Sequence, residues 1–170
     1  MAHHEPWNAE RATSIIAGFA ASHRSADGAL APDATRQTLA LPILHALQHV
    51  FGCVPPQAEP LIAAHLNISR ADLHGVVSFY HDFRRAPPGR HVLRLCRAEA
   101  CQSVGAETIA QSVRSVLGID WHDTTTDGTV TLEPVFCLGL CASGPAALLD
   151  GQPVGRLSAL GARDLLGSLS

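Results

Sequence analysis

The chain has 170 residues, 46% of them hydrophobic, which is enough apolar material to bury a core in one domain or in two small ones. Its 12 Lys and Arg residues form no basic run and the formal net charge is −3, a pattern that argues against a nucleic-acid-binding protein. No stretch approaches the roughly 20 apolar residues that span a bilayer, and residues 1–10 lack the apolar segment of an export signal. We therefore expect a cytoplasmic protein with no direct insertion into a membrane.

The first half of the chain has the hydrophobic spacing of helices. Four segments are predicted to be helical: 9–23, 38–51, a segment that opens at Pro55, and a segment that runs from Ser69 to Tyr80. Asn8 and Ser69 are residue types that cap helix N-termini, and Gly52 is suited to end the second helix. A polar connection over 25–33 separates the first two segments. These features predict a small bundle of four helices.

A break in the helical pattern follows at residues 84–90. Pro87 and Pro88 remove backbone donors, and Gly89 loosens the chain directly after them. We place a domain boundary here, which gives a helical bundle over 1–86 and a second domain over 87–170.

The second half of the chain alternates between strand and helix patterns. The predicted order is a strand over 91–95, a helix over 105–117, a strand over 129–136, a hairpin over 146–156 and a helix over 158–169. Asp150-Gly151 tolerates the positive φ angles of a two-residue turn and therefore marks the hairpin. The predicted fold class is α+β, with an N-terminal helical bundle followed by an α/β domain.

Four of the five cysteines form two pairs in this second domain. Cys96 and Cys101 are separated by four residues, Cys137 and Cys141 by three, and 35 residues lie between the pairs. Each pair follows a predicted strand. Thiolates are soft ligands that favour iron–sulfur clusters, zinc or copper(I), so the pattern predicts a metal centre.

The spacing within the pairs bears on which metal they hold. Zinc sites built from four cysteines usually use shorter C-x2-C elements, whereas wider loops suit the larger two-iron cluster. Gly139 lies within the second pair, where it lets backbone amides approach sulfur. The spacing therefore favours a [2Fe–2S] cluster and leaves zinc open. A redox dithiol is disfavoured because the chain has no C-x-x-C motif.

Other candidate residues have simpler interpretations. Cys53 lies outside both pairs, at the end of a predicted helix, and is interpreted as a structural thiol. His45 and His49 share a helical face but lack a neighbouring carboxylate motif, so we interpret them as surface or interface residues. No glycine-rich dinucleotide or phosphate motif is present, so NAD and flavin are not expected on this chain.

Several blocks of the sequence together resemble one family. The blocks are LPILHALQ at 41–48, GVVSFY at 75–80, PPG at 87–89, CLGLC at 137–141 and GPA at 144–146, with the two cysteine pairs. They resemble the thioredoxin-like [2Fe–2S] ferredoxin family. That family comprises the small iron–sulfur subunit of NADH dehydrogenase (complex I) and its relatives in NAD-reducing hydrogenases and NAD-dependent formate dehydrogenases.

The resemblance implies a thioredoxin-like C-terminal domain and one [2Fe–2S] cluster. The implied ligands are the paired cysteines, Cys96, Cys101, Cys137 and Cys141. It also implies an electron-transfer subunit that is not catalytic alone and that binds a flavoprotein partner carrying FMN and the NAD site.

The sequence CRAEACQ at 96–102 is most similar to the gamma subunit of NAD-dependent formate dehydrogenase, which implies a larger molybdenum- or tungsten-containing partner subunit. Complex I and an NAD-reducing hydrogenase are the alternative parent systems. A zinc-stapled interaction module is the alternative from a different class.

Overall fold

The computed structural model describes residues 4–22 and 37–169. The chain divides into two compact units, one ending at Pro87 and the other beginning at Pro88. The boundary predicted between residues 86 and 87 lies next to this division, and the assignment of two domains stays a prediction.

The N-terminal unit is helical in the part that the structure describes. Its helices are α1 (Ala9–Ser22), α2 (Ala40–Phe51), α3 (Ala58–Leu66) and α4 (Arg70–Phe79). They correspond to the four predicted segments, with α2 beginning two residues later than predicted. The predicted end of α1 at residue 23 and the connection over 25–33 lie outside the described residues.

The predicted helix ends have the expected geometry. The backbone N–H of Arg11 donates to Asn8 Oδ1 at 2.8 Å, and that of Asp72 donates to Ser69 Oγ at 3.0 Å, so both caps are formed. Gly52 has φ +75° and ends α2. These local signals are confirmed.

An apolar core joins the helices of this unit. The fully buried large side chains here are Ile16, Ile43, Leu44, Leu47, Phe51, Val54, Ile62, Leu66 and Leu73. On α2 they recur at the spacing of one helical face, as the sequence predicts. The ring of Trp7 lies against that of Phe51 at 5.1 Å between centroids.

One carboxylate is buried in this unit. Glu59 of α3 is 8% exposed, and its carboxylate contacts Arg85 Nη1 at 2.5 Å and His74 Nδ1 at 3.2 Å. Because a buried charge is costly unless it is paired, these two contacts account for its position.

The C-terminal unit contains a four-stranded mixed sheet. Its strands are β1 (His91–Cys96), β2 (Val130–Val135), β3 (Ala147–Leu149) and β4 (Gln152–Val154). The spatial order is β2-β1-β3-β4, with β1 parallel to β2 and the other pairs antiparallel. Asp150 and Gly151 both have positive φ, so the predicted hairpin turn is confirmed.

Three helices accompany the sheet: α5 (Glu99–Ser103), α6 (Ala106–Leu117) and α7 (Ala159–Gly167). Leu93 and Leu132 form the centre of a core that includes Val113 of α6 and Leu166 of α7. The sequence predicts α6 and α7 but not α5, because a five-residue helix is too short to show a hydrophobic period. The mixed α/β architecture agrees with the predicted fold class.

No helix in the described ranges 4–22 and 37–169 is long and apolar enough to cross a membrane. The cytoplasmic location stays a prediction.

Candidate metal centre

The sheet brings the two cysteine pairs to one of its ends. Cys96 is the last residue of β1 and faces Val135, the last residue of β2, in the parallel register. Since parallel neighbours end at the same edge of a sheet, the segments that carry Cys101 and Cys137 leave from this edge together. Cys141 follows on a short 3-10 turn over Cys141–Ser143.

The first pair is buried. Cys96 is 3% exposed and Cys101 is 1% exposed. Burial raises the pKa of the Cys101 thiol, and the charges of Cys96 and Cys141 raise it further, whereas a backbone hydrogen bond from Ala146 lowers it. Cys141 of the second pair is therefore near enough to Cys101 of the first pair to influence its thiol.

The second pair is exposed and lies on a loop with unusual backbone conformation. Cys137 has φ +151°, which residues other than glycine rarely adopt. Gly139, at φ +71°, donates its N–H to Cys137 Sγ at 3.3 Å. The expected approach of a backbone amide to sulfur is thus present at Gly139.

Apolar side chains cover the buried side of the cysteines. Cys96 and Cys101 cluster with the buried Ala106 and Ala146, and the partly buried side chains packed there are Ala98, Val135, Leu138 and Leu140. A low-polarity environment of this kind restricts water at the sulfurs and influences the potential of a bound cluster.

Gly144, which belongs to the GPA block at 144–146, lies beside the first cysteine pair. A Cβ atom at this position would lie 3.4 Å from Cys101 Sγ and 3.3 Å from Val104 Cγ2. Glycine therefore allows the backbone after Cys141 to pack against the first pair. The sequence does not show this contact with Cys101 and Val104.

The candidate donors are four free cysteine thiols, a ligand type that binds both zinc and [2Fe–2S] clusters. In the described ranges, no three Cys, His, Asp or Glu side chains are grouped so that they could hold one metal ion. Cys53 lies in the helical unit and is buried there.

Comparison with protein families identifies the architecture. The model of the thioredoxin-like [2Fe–2S] ferredoxin family matches residues 26–170. The chain belongs to this family. The resemblance predicted from the sequence blocks is confirmed, and the thioredoxin-like fold class with it.

Two relatives are similar to this ferredoxin over most of its length. A subunit of the NADH-quinone oxidoreductase of Pseudomonas aeruginosa is 38% identical over 123 residues, which are 72% of this chain and 74% of that protein. The HndA subunit of the NADP-reducing hydrogenase of Solidesulfovibrio fructosivorans is 32% identical over 116 residues, which are 68% of each.

A solved structure shows the same fold. A chain of an NAD+-reducing [NiFe]-hydrogenase in its air-oxidised state aligns with a TM-score of 0.66 and 23% identity. The alignment covers 79% of this chain and 24% of the hydrogenase chain, so this ferredoxin spans about a quarter of the longer polypeptide. Family membership implies a [2Fe–2S] cluster as the cofactor.

Proposed function

We propose that this ferredoxin is the electron-transfer subunit of an NAD-linked flavoprotein oxidoreductase. Cys96, Cys101, Cys137 and Cys141 hold one [2Fe–2S] cluster, and the partner subunit carries FMN and the NAD site. The observation that carries the proposal is the parallel register of β1 and β2, which places Cys96 and the segment leading to Cys137 at the same end of the sheet.

The chain's own residues prepare this site for a cofactor of negative charge. When bound, the cluster supplies one-electron oxidation and reduction. The N–H of Gly139 donates to Cys137 Sγ at 3.3 Å, and the backbone of Ala146 acts to lower the pKa of the Cys101 thiol. Such donors stabilise thiolate charge, while the apolar cover restricts water at the buried pair.

The exposed side of the site supports docking of a partner. Cys137 and Cys141 are exposed, and Phe136, directly before Cys137, is 75% exposed. Val104, which packs near Gly144, is 54% exposed. Apolar side chains of this size at the surface are typical of protein interfaces, so electrons are expected to pass on this side.

Within this function we propose a formate dehydrogenase as the parent enzyme. The support is the sequence CRAEACQ at 96–102, which resembles the gamma subunit of that enzyme more than the complex I subunit. The holoenzyme then includes a larger molybdenum- or tungsten-containing subunit. The relatives named above belong to an NADH-quinone oxidoreductase and a hydrogenase, which are the alternative parents.

Purification of the tagged chain from its own host with its partners tests the parent assignment. The formate hypothesis predicts a complex that contains FMN and molybdenum or tungsten and that reduces NAD+ on addition of formate. A complex that reduces NAD+ only with hydrogen, or that oxidises NADH with a quinone, contradicts formate and identifies the alternative.

Substitution of single cysteines tests the ligand set. Cys101→Ser is expected to abolish or weaken the red-brown colour, the acid-labile sulfide and the EPR signal after reduction. Cys53→Ser, the matched control, is expected to leave all three unchanged. A colourless wild-type protein that binds one zinc ion would instead support the interaction module, and loss of the cluster in Cys53→Ser would overturn the ligand assignment.

A further inference from the structure

The residues directly after Cys141 accept backbone hydrogen bonds from a segment that is distant in sequence. Residues 155–157 follow β4 and run beside residues 143–145. The N–H of Arg156 donates to the carbonyl oxygen of Ser143 at 2.6 Å, and the N–H of Leu157 donates to that of Pro145 at 2.9 Å. Two backbone hydrogen bonds therefore tie this segment to the residues directly after Cys141.

Gly155 is required for the close approach of the two segments. A Cβ atom at this position would lie 2.9 Å from Ser143 Cβ and 3.1 Å from the Ser143 carbonyl oxygen. The first distance is shorter than real Cβ atoms show, and one of the two contacts is to backbone, so the turn or the segment would have to move.

The neighbouring backbone is held in an unfavourable conformation. Arg156 has φ +51°, in the left-handed region that L side chains with a Cβ rarely adopt. Such a conformation persists where surrounding contacts enforce it, and here the hydrogen bond to Ser143 does so.

The other end of the segment is anchored in the core. Leu157 is buried among the residues that include Leu93 and Leu166. The next residue, Ser158, caps α7 by accepting a hydrogen bond from the N–H of Gly161 at 3.0 Å. The segment thus connects the rigid core of the C-terminal unit to an exposed ligand turn.

We propose that residues 155–157 form a strap that positions Cys141 for the cluster, with Gly155 as the positioning residue. The proposal rests on the ligand set of the proposed function. Because Cys137 and Cys141 are exposed, packing of their own side chains does little to fix them, and the strap supplies the constraint. Displacement of Ser143 by a larger residue at 155 moves Cys141 and loosens its bond to iron.

The test compares Gly155→Ala with Gly167→Ala in the full chain after cluster reconstitution. Gly167 is the matched control, because it lies in the same unit and a Cβ there meets nothing within 4 Å. Gly155→Ala is expected to lose cluster absorbance in the presence of a chelator about tenfold faster than wild type, as for other residues that orient metal ligands. Its EPR g-values after reduction are expected to shift, with the far-UV circular dichroism unchanged.

A double variant ties the effect to Ser143. Gly155→Ala with Ser143→Gly removes the Cβ contact at 2.9 Å and is expected to recover most of the wild-type lifetime and g-values. If Gly155→Ala does not fold, the folded double variant is used to test the strap. A wild-type EPR spectrum in it supports the strap, and rapid loss of its cluster, with Ser143→Gly alone behaving as wild type, overturns it.

The outcomes also separate this proposal from the proposed function. A wild-type chain that takes up no iron or sulfide overturns the proposed function. A wild-type chain that holds its cluster, with Gly155→Ala equal to Gly167→Ala in cluster lifetime and g-values, overturns the strap alone.

Discussion

Removal of Arg85 measures how much the ion pair between Glu59 and Arg85 stabilises the helical unit. In the wild type, Arg85 contacts the carboxylate of Glu59 at 2.5 Å. Arg85→Ala leaves that carboxylate, 8% exposed, with His74 at 3.2 Å as its remaining ion-pair partner among the described residues. The buried carboxylate of Glu59 then keeps one of these two partners, His74.

The expected loss is about 2 kcal/mol. Breaking a fully buried ion pair by removing one partner costs about 3–5 kcal/mol. Arg85 is 40% exposed, so water already weakens the pair, and His74 remains beside the carboxylate. A loss of about 2 kcal/mol changes the unfolding equilibrium by a factor of about 30.

Urea unfolding followed by tryptophan fluorescence measures this loss unit by unit. Trp7 belongs to the helical unit, where it lies against Phe51, and Trp121 belongs to the C-terminal unit. In a Trp121→Phe background the fluorescence therefore reports the helical unit. Arg70→Ala, which removes an exposed arginine from the start of α4, is the control.

If the loss comes from an unpaired buried charge, neutralising Glu59 should restore part of the stability. Glu59→Gln combined with Arg85→Ala is expected to be more stable than Arg85→Ala alone, because a buried amide costs less than a buried charge. The reasoning is refuted if Arg85→Ala loses less than about 0.5 kcal/mol, the range of ordinary surface changes. It is also refuted if the double variant gains nothing.

Three further outcomes are expected. Leu132→Ala, at a fully buried position of β2, is expected to cost about 3 kcal/mol in urea unfolding followed by Trp121 in a Trp7→Phe background. Ser69→Ala removes the cap of α4 and is expected to cost about 1 kcal/mol by Trp7 fluorescence. Burial raises the pKa of the Cys53 thiol above 9.0, with Arg85 opposing. Iodoacetamide at pH 8 should therefore alkylate Cys53 more slowly in the folded protein than in urea. The free energy of unfolding should decline as pH rises above 9.0, because the Cys53 thiol ionises more readily in the unfolded chain.

Local signals in the sequence predict much of the fold. The helical periods, the caps at Asn8 and Ser69 and the turn at Asp150-Gly151 each depend on a few neighbouring residues, and the structure contains all of them. The family resemblance rests on whole blocks of sequence, and the family comparison bears it out.

Contacts between distant segments explain what the sequence does not predict. Gly155 is an ordinary turn glycine by its sequence neighbours, and only the packing against Ser143 shows why a side chain does not fit there. The helix α5 is similar, because its five residues carry no period of their own. Tertiary packing determines these features.

The parallel pairing of β1 with β2 has a consequence for maturation of the protein. The last proposed ligand, Cys141, is 45 residues beyond the first, Cys96, and the two strands must pair across that separation before the donors converge. An iron–sulfur donor protein therefore meets a complete receiving site only after the C-terminal half has been synthesised and has formed its central ladder. Cluster delivery is expected to be a late, post-translational event. Chains that end before Cys137 contain only Cys96 and Cys101, two of the four proposed ligands.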